Sequence, residues 1–198
     1  SNNLDFSAAT GANLANVSFG ATSNATYSGV LTPYAGTYRL GGGGAILTIG
    51  SDLVGANDLV VSVPGTVILN GPGSASTFTG TTTISGGGIL QLNSAGAFNG
   101  LARTVNVNSA GTAKFNGTAS ANGATINVNN GGIADLSGNS GASGGVFEVN
   151  DGGVAKVTYN NSVGVAGGAT GGVFNIHDGG TFTVTNGNGC GGTINVET

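Results

Sequence analysis

The sequence predicts an all-β chain wound as a parallel β-helix, a β-solenoid of about 8–9 rungs with a period near 22 residues. Three observations carry this. The first is a short phrase that recurs with its apolar positions kept and its polar ones varied: Val105-Asn106-Val107, Ile126-Asn127-Val128, Phe147-Glu148-Val149, Phe174-Asn175-Ile176 and Ile194-Asn195-Val196. The second is the interval between rungs. The last apolar residue before each turn falls at Leu40, Val61, Ile84, Val107, Val128, Val149, Ile176 and Val196, in steps of 21, 23, 23, 21, 21, 27 and 20 residues. A unit this short cannot bury its own apolar side, so successive units must stack. The third is that apolar residues recur at a spacing of two, while glycine, 41 of 198 residues, interrupts every stretch that might form a helix.

Composition narrows the function classes. Charged residues are 6% of the chain where about 25% is usual, yet 38% of residues are hydrophobic, which is unlike a disordered polypeptide. Glycine follows no strict three-residue period, so collagen is excluded. The net charge is −4, with only Arg39, Arg103, Lys114 and Lys156 available to meet phosphates, so nucleic acid is not an expected partner. No run of 18 apolar residues is present, and membrane insertion by this chain is not expected. The chain begins at Ser1 without an export signal and is expected to be a mature product or an excised piece. Cys190 stands alone, which excludes an internal disulfide framework and leaves a small residue in a glycine turn or, in an oxidising compartment, an intermolecular bridge.

Residues 1–198 are expected to form a single domain. Residues 1–39 read as irregular N-terminal rungs, with alternating pieces at Leu4-Asp5-Phe6, Val17-Ser18-Phe19 and Ala25-Thr26-Tyr27, then a turn led by Pro33. In residues 40–103 four glycines at 41–44 precede a strand over Ala45–Ile49. A second strand begins at Leu59, and Pro64-Gly65 turns the chain into Thr66–Leu69. Residues 104–198 are the regular rungs. The first four copies of the phrase pass through a polar turn closed by glycine into a second strand: Ala113-Lys114-Phe115, Ala134-Asp135-Leu136, Ala155-Lys156-Val157 and Phe182-Thr183-Val184. The excess of the 27-residue step lies between Tyr159 and Gly172, which predicts a loop bulging from one corner.

Stacking turns equivalent positions into columns. Rungs about 4.8 Å apart make a rod of roughly 45 Å. Val107, Val128, Val149 and Ile176 form an inward column, each burying roughly 1.5–3 kcal/mol worth of apolar surface. Lys114, Asp135 and Lys156 form an outward column whose alternating signs predict exposed ion pairs. Two further columns, Asn106, Asn127, Glu148, Asn175, Asn195 and Asn108, Asn129, Asn150, His177, Glu197, are expected to form amide ladders along the axis. His177 is thereby read as a turn residue in a ladder instead of a catalytic base. The Asp151-Gly152 and Asp178-Gly179 turns lack the nonapeptide frame of calcium-binding β-rolls, and neither a metal nor another cofactor is expected.

Residues 76–92 carry Phe78, Thr79-Gly80, the strand Thr81-Thr82-Thr83-Ile84, Gly86-Gly87-Gly88 and Leu90-Gln91-Leu92. This order resembles the autotransporter-associated β-strand repeat, also called the passenger-associated transport repeat. The resemblance extends over roughly residues 15–100, with Thr81 standing where that repeat usually has a second glycine. It implies a right-handed β-helix in an exported, surface-associated bacterial protein. No C-terminal membrane barrel is present in these residues, so self-translocation is not assigned.

The expected function is an extracellular structural or adhesive element, a fibre subunit or a segment of a surface passenger. Its partner would be a second copy, stacked end to end on the strand Thr193-Ile194-Asn195-Val196, or surface glycans met by the loop that opens with Tyr159, Asn160 and Asn161. The alternative is a polysaccharide-binding or polysaccharide-cleaving β-helix. Cleavage needs carboxylates converging in one groove. The chain's eight Asp and Glu residues are spread along its length, and no catalytic residue is assigned. A flat threonine array is also weighed: Thr181, Thr183 and Thr185 form one row, but the rung before it carries Val154, Lys156 and Thr158.

Overall fold

Alternation at a spacing of two puts apolar side chains on one side of each short strand, and a glycine turn then sends the chain back over the preceding rung. The computed structural model of the chain describes residues 2–7, 13–70, 76–93, 103–121, 123–138, 142, 144–159, 172–185 and 192–197. Three short strands come first: β1 (Leu4–Asp5), β2 (Ala25–Tyr27) and β3 (Leu31–Thr32). Rung pairs follow: β4 (Thr37–Arg39) with β5 (Ile46–Ile49), β6 (Asp58–Val61) with β7 (Gly65–Leu69), and β8 (Thr82–Ile84) with β9 (Gly88–Leu92). Next are β10 (Thr104–Val107) with β11 (Thr112–Phe115), and β12 (Thr125–Val128) with β13 (Ile133–Gly138). The last are β14 (Val146–Val149) with β15 (Val154–Tyr159), β16 (Val173–Ile176) with β17 (Thr181–Thr185), and β18 (Thr193–Val196).

The chain is an all-β parallel β-solenoid. Even-numbered strands from β4 to β18 form one eight-stranded sheet, and β2 with the odd-numbered strands from β5 to β17 forms another. No helix occurs among the described residues. The register joins the rung markers into one column, since Val61, Ile84, Val107, Val128, Val149, Ile176 and Val196 are successive partners. Phe19 bridges to Leu40 and carries the column one rung further toward the N-terminus. Val17 was expected inside the same early strand, but it is half exposed, and Phe19 alone makes the pairing.

Four inward columns fill the space between the sheets. The marker column is one; the second runs Tyr38, Leu59, Thr82, Val105, Ile126, Phe147, Phe174, Ile194. From the opposite sheet come Leu47, Val67, Leu90, Ala113, Ala134, Ala155, Phe182 and Ile49, Leu69, Leu92, Phe115, Leu136, Val157, Val184. The outward positions are not all polar. Val60, Ile68, Ile89, Ile133 and Val154 face outward and stay half-buried, so β-branched residues serve the strand itself as well as the core.

Two residues with hydroxyl groups, Tyr38 and Thr82, interrupt one of these four columns. Tyr38 is 2% exposed, and its hydroxyl both donates to the Val54 carbonyl (3.0 Å) and accepts from the Val54 N–H (3.2 Å). Thr82 is fully buried between Leu59 and Val105, and its hydroxyl has no hydrogen-bond partner among the described residues. An unmade bond of this kind costs about 1–3 kcal/mol. Thr82→Val keeps the shape and removes the orphaned group, so a gain of about 1 kcal/mol is expected, which for a chain of this length raises Tm by about 2–4 °C. A thermal melt in which Thr82→Val is neutral or less stable would show that the hydroxyl is satisfied.

The two ends differ. At the N-terminal end β1 and β3 pair with each other outside the main sheets, and Phe6 and Tyr27 lie against Phe19 with ring centroids 6.3 and 5.3 Å away. The Tyr27 hydroxyl donates to the Asn2 carbonyl at 2.8 Å, tying this layer down. At the C-terminal end β17 and β18 are the edge strands of their sheets among the described residues.

Candidate edge strand and polar ladder

β18 forms because Thr193-Ile194-Asn195-Val196 repeats the apolar spacing of the four rungs before it, and it pairs in register with β16. Its inward residues continue the buried columns but have no described strand above them. Ile194 is 42% exposed and Val196 66%, whereas Phe174 and Ile176 directly beneath are 0% and 6%. Val184 on β17 is 42% exposed for the same reason. These three residues form an apolar step beside a strand edge that is unpaired among the described residues, the arrangement that accepts another strand.

Along the outer surface of the same sheet run the two asparagine columns. In the first, Asn127 Nδ2 donates to Asn106 Oδ1 (2.9 Å), Asn175 Nδ2 to Glu148 Oε1 (2.8 Å) and Asn195 Nδ2 to Asn175 Oδ1 (2.8 Å). In the second, Asn129 donates to Asn108 (2.8 Å) and Asn150 to Asn129 (2.9 Å). An amide carries donors and an acceptor, so one residue type repeated at rung spacing satisfies itself. The ladders expected from the sequence are therefore present, and His177 sits in the second of them.

At His177 the ladder changes character. Its Nδ1 lies 2.7 Å from Glu197 Oε2 and its Nε2 2.8 Å from Glu148 Oε2, so one ring joins the two columns. The hydrogen bonds to Glu197 and Glu148 raise the His177 pKa above the ordinary histidine value, and their charges act in the same direction. Column-by-column reading of the sequence places His177 and Glu197 together but misses Glu148. That residue belongs to the neighbouring column and to β14, and only the diagonal across the sheet face brings it near. Two acids flanking one histidine in adjacent columns were the available signal.

Arg103 was also missed. It occupies the corner just before β10, where its counterparts are Gly80, Ala124, Gly145 and Gly172, so a long cation among small residues was the clue. The side chain turns inward and is 4% exposed. Its guanidinium lies 4.5 Å from the centroid of the buried Phe78 ring and donates to the Ser76 carbonyl at 3.2 Å. Burial lowers its pKa to about 10, which leaves it cationic at neutral pH. This is a packing role on the third side of the rod.

The remaining candidates stay apart. The register stacks Lys114 on Asp135 and Asp135 on Lys156, but the ion pairs among the described residues are those of His177, so the expected charge pairing in this column is not made. Lys114 and Asp135 are half-buried and Lys156 is exposed, and charges at a wet surface gain too little from pairing to hold two side chains in place. Thr181, Thr183 and Thr185 lie over Val154, Lys156 and Thr158, which limits the threonine row to one rung. Asp151 and Asp178 occupy successive turns, joined by Gly152 N–H donating to the Gly179 carbonyl at 3.1 Å. Tyr159 ends β15, while its side chain, Asn160, Asn161 and Cys190 lie outside the described residues.

No family model matches the chain. No curated protein matches it either. Among solved structures it is similar to a hyper-glycosylated fragment of TibA, whose modification is catalysed by TibC. The likeness has 17% sequence identity and a TM-score of 0.28, covering 91% of this chain and 70% of that one.

Proposed function

We propose that this chain is an extracellular structural or adhesive rod of a bacterial surface, and that it lengthens by docking a second copy on β18. The observation that carries the reading is the contrast between the ends. The N-terminal end is covered by its own aromatic layer, while β18 presents a backbone edge unpaired among the described residues, beside Ile194, Val196 and Val184. A further strand in register would bury the apolar step and pair the edge in one event. The likeness of residues 76–92 to passenger repeats supports the surface setting.

Electron microscopy and sedimentation velocity across a concentration series test this. Rods joined end to end, growing with concentration and lost in the double variant Ile194→Lys, Val196→Lys, are expected. A folded protein that stays a single short rod at every concentration would rule out docking and leave β18 to be covered by further chain of a longer passenger.

A further inference from the structure

The imidazole of His177 meets a carboxylate oxygen at each ring nitrogen, 2.7 Å to Glu197 and 2.8 Å to Glu148. A neutral imidazole has one N–H and one lone pair, so only the imidazolium donates to both acids. The three residues come from three successive rungs. Glu148 is on β14, His177 follows β16, and Glu197 follows β18, where its backbone N–H also donates to the Ile176 carbonyl at 2.9 Å. We propose that His177 is a proton-dependent latch on β18: as imidazolium it ties Glu197, and with it the end of this strand, to Glu148 of β14, and on losing its proton it releases that end.

The surroundings favour the charged ring. Glu148 faces it from β14 and Glu197 from the end of β18; its own turn adds Asp178, and the preceding turn adds Asp151, whose carboxylate overhangs Gly179. Asn175 on β16 and Asn150 in the column beneath are neutral. The nearest lysine in sequence, Lys156, is on β15 in the opposite sheet. At the equivalent position in the earlier rungs Asn150 and Asn129 make the same vertical connection through uncharged amides. The histidine is thus where a pH-independent ladder becomes a pH-dependent one.

The sign follows from the raised folded-state pKa. Stabilisation of β18 is complete below the ordinary histidine value of 6.5 and is lost as pH rises through the raised one. The consequence for assembly rests on the docking role proposed above for β18: a frayed strand is a poor template, so end-to-end joining would weaken in alkaline solution.

Amide exchange followed by NMR on dilute, monomeric protein tests the latch directly. The Thr193 and Glu197 amides, which donate to Gly172 and Ile176, report on β18, and the amides of β14 serve as the internal reference. Between about pH 5 and 9, their protection relative to β14 is expected to fall about two- to fivefold as the ring loses its proton. In H177N, which restores the asparagine of the column, and in E197Q, protection should be flat with pH. A flat profile in the unmodified protein, or the same fall in H177N, would overturn the latch. Sedimentation at the same pH values reads docking separately. A pH-dependent loss of protection without association at any pH keeps the latch and removes docking. Association with pH-independent protection does the reverse.

Discussion

Phe147→Ala is expected to lower the stability of the rod by about 3–5 kcal/mol, the usual range for deleting a fully buried phenylalanine ring. The ring is 0% exposed, stacked on Phe174 with centroids 4.6 Å apart and planes at 14°, and edge-on to Phe115 at 5.9 Å. Two terms add. The transfer energy of the ring is lost, and a cavity remains that its surroundings cannot close. Closing it would require Ile126 and Phe174 to approach along the axis, but both sit on strands whose spacing is fixed by backbone hydrogen bonds in register. Phe174 then loses one wall and keeps Phe182, which is itself half-buried at the open end. Damage should therefore spread toward β16–β18 more than toward β10, since each rung is held mainly by its neighbours. Urea denaturation with amide exchange read rung by rung checks both statements; a loss below about 1 kcal/mol would mean the pile of rings is loosely packed.

How much of this was legible in the sequence depends on whether a feature repeats. Strands, register and inward columns were legible because the same spacing recurs in rung after rung, so Val107, Val128, Val149 and Ile176 could be placed beside one another from intervals alone. The amide ladders followed from the same arithmetic. What escaped involves contacts across columns or single departures from the repeat. Glu148 reaches His177 diagonally, Arg103 turns inward at a corner otherwise built of small residues, and Thr82, two positions before the inward Ile84, is a single polar departure in a column that is apolar in the rungs on either side. The layer of Phe6, Phe19 and Tyr27 is a further case. Tyr27 and Phe19 continue the main sheets, but Phe6 follows β1, which pairs with β3 outside them, so the solenoid period does not place its ring against theirs.

Gly132→Ala should cost about 3 kcal/mol, at the upper end of what an inserted methyl usually does, and more than Gly131→Ala beside it. Both residues belong to the turn Asn129-Asn130-Gly131-Gly132, closed by the Gly132 N–H donating to the Asn129 carbonyl at 2.7 Å. Gly131 has φ +71°, a left-handed conformation that disfavours side chains, but Ala110 holds the same place one rung earlier at φ +59°. An alanine is thus tolerated there, and about 1–2 kcal/mol is the expected loss. At Gly132 the constraint is contact. A Cβ would come within 3.0 Å of the Val107 carbonyl group, and the corresponding Cβ at Gly88, Gly111, Gly153 or Gly180 would meet Val61, Ile84, Val128 or Val149 in the same way. Those carbonyls cannot swing aside, because each accepts a hydrogen bond from the rung above; for Val107 the donor is Asn129 N–H at 2.9 Å. Relief would require lifting one rung off another, which breaks the ladder on both sides. Chemical denaturation of the two single variants decides the order. If Gly131→Ala proved the more damaging, the corner would be governed by backbone conformation, and the close stacking of rung on carbonyl would not be what keeps glycine at the fourth position of these turns.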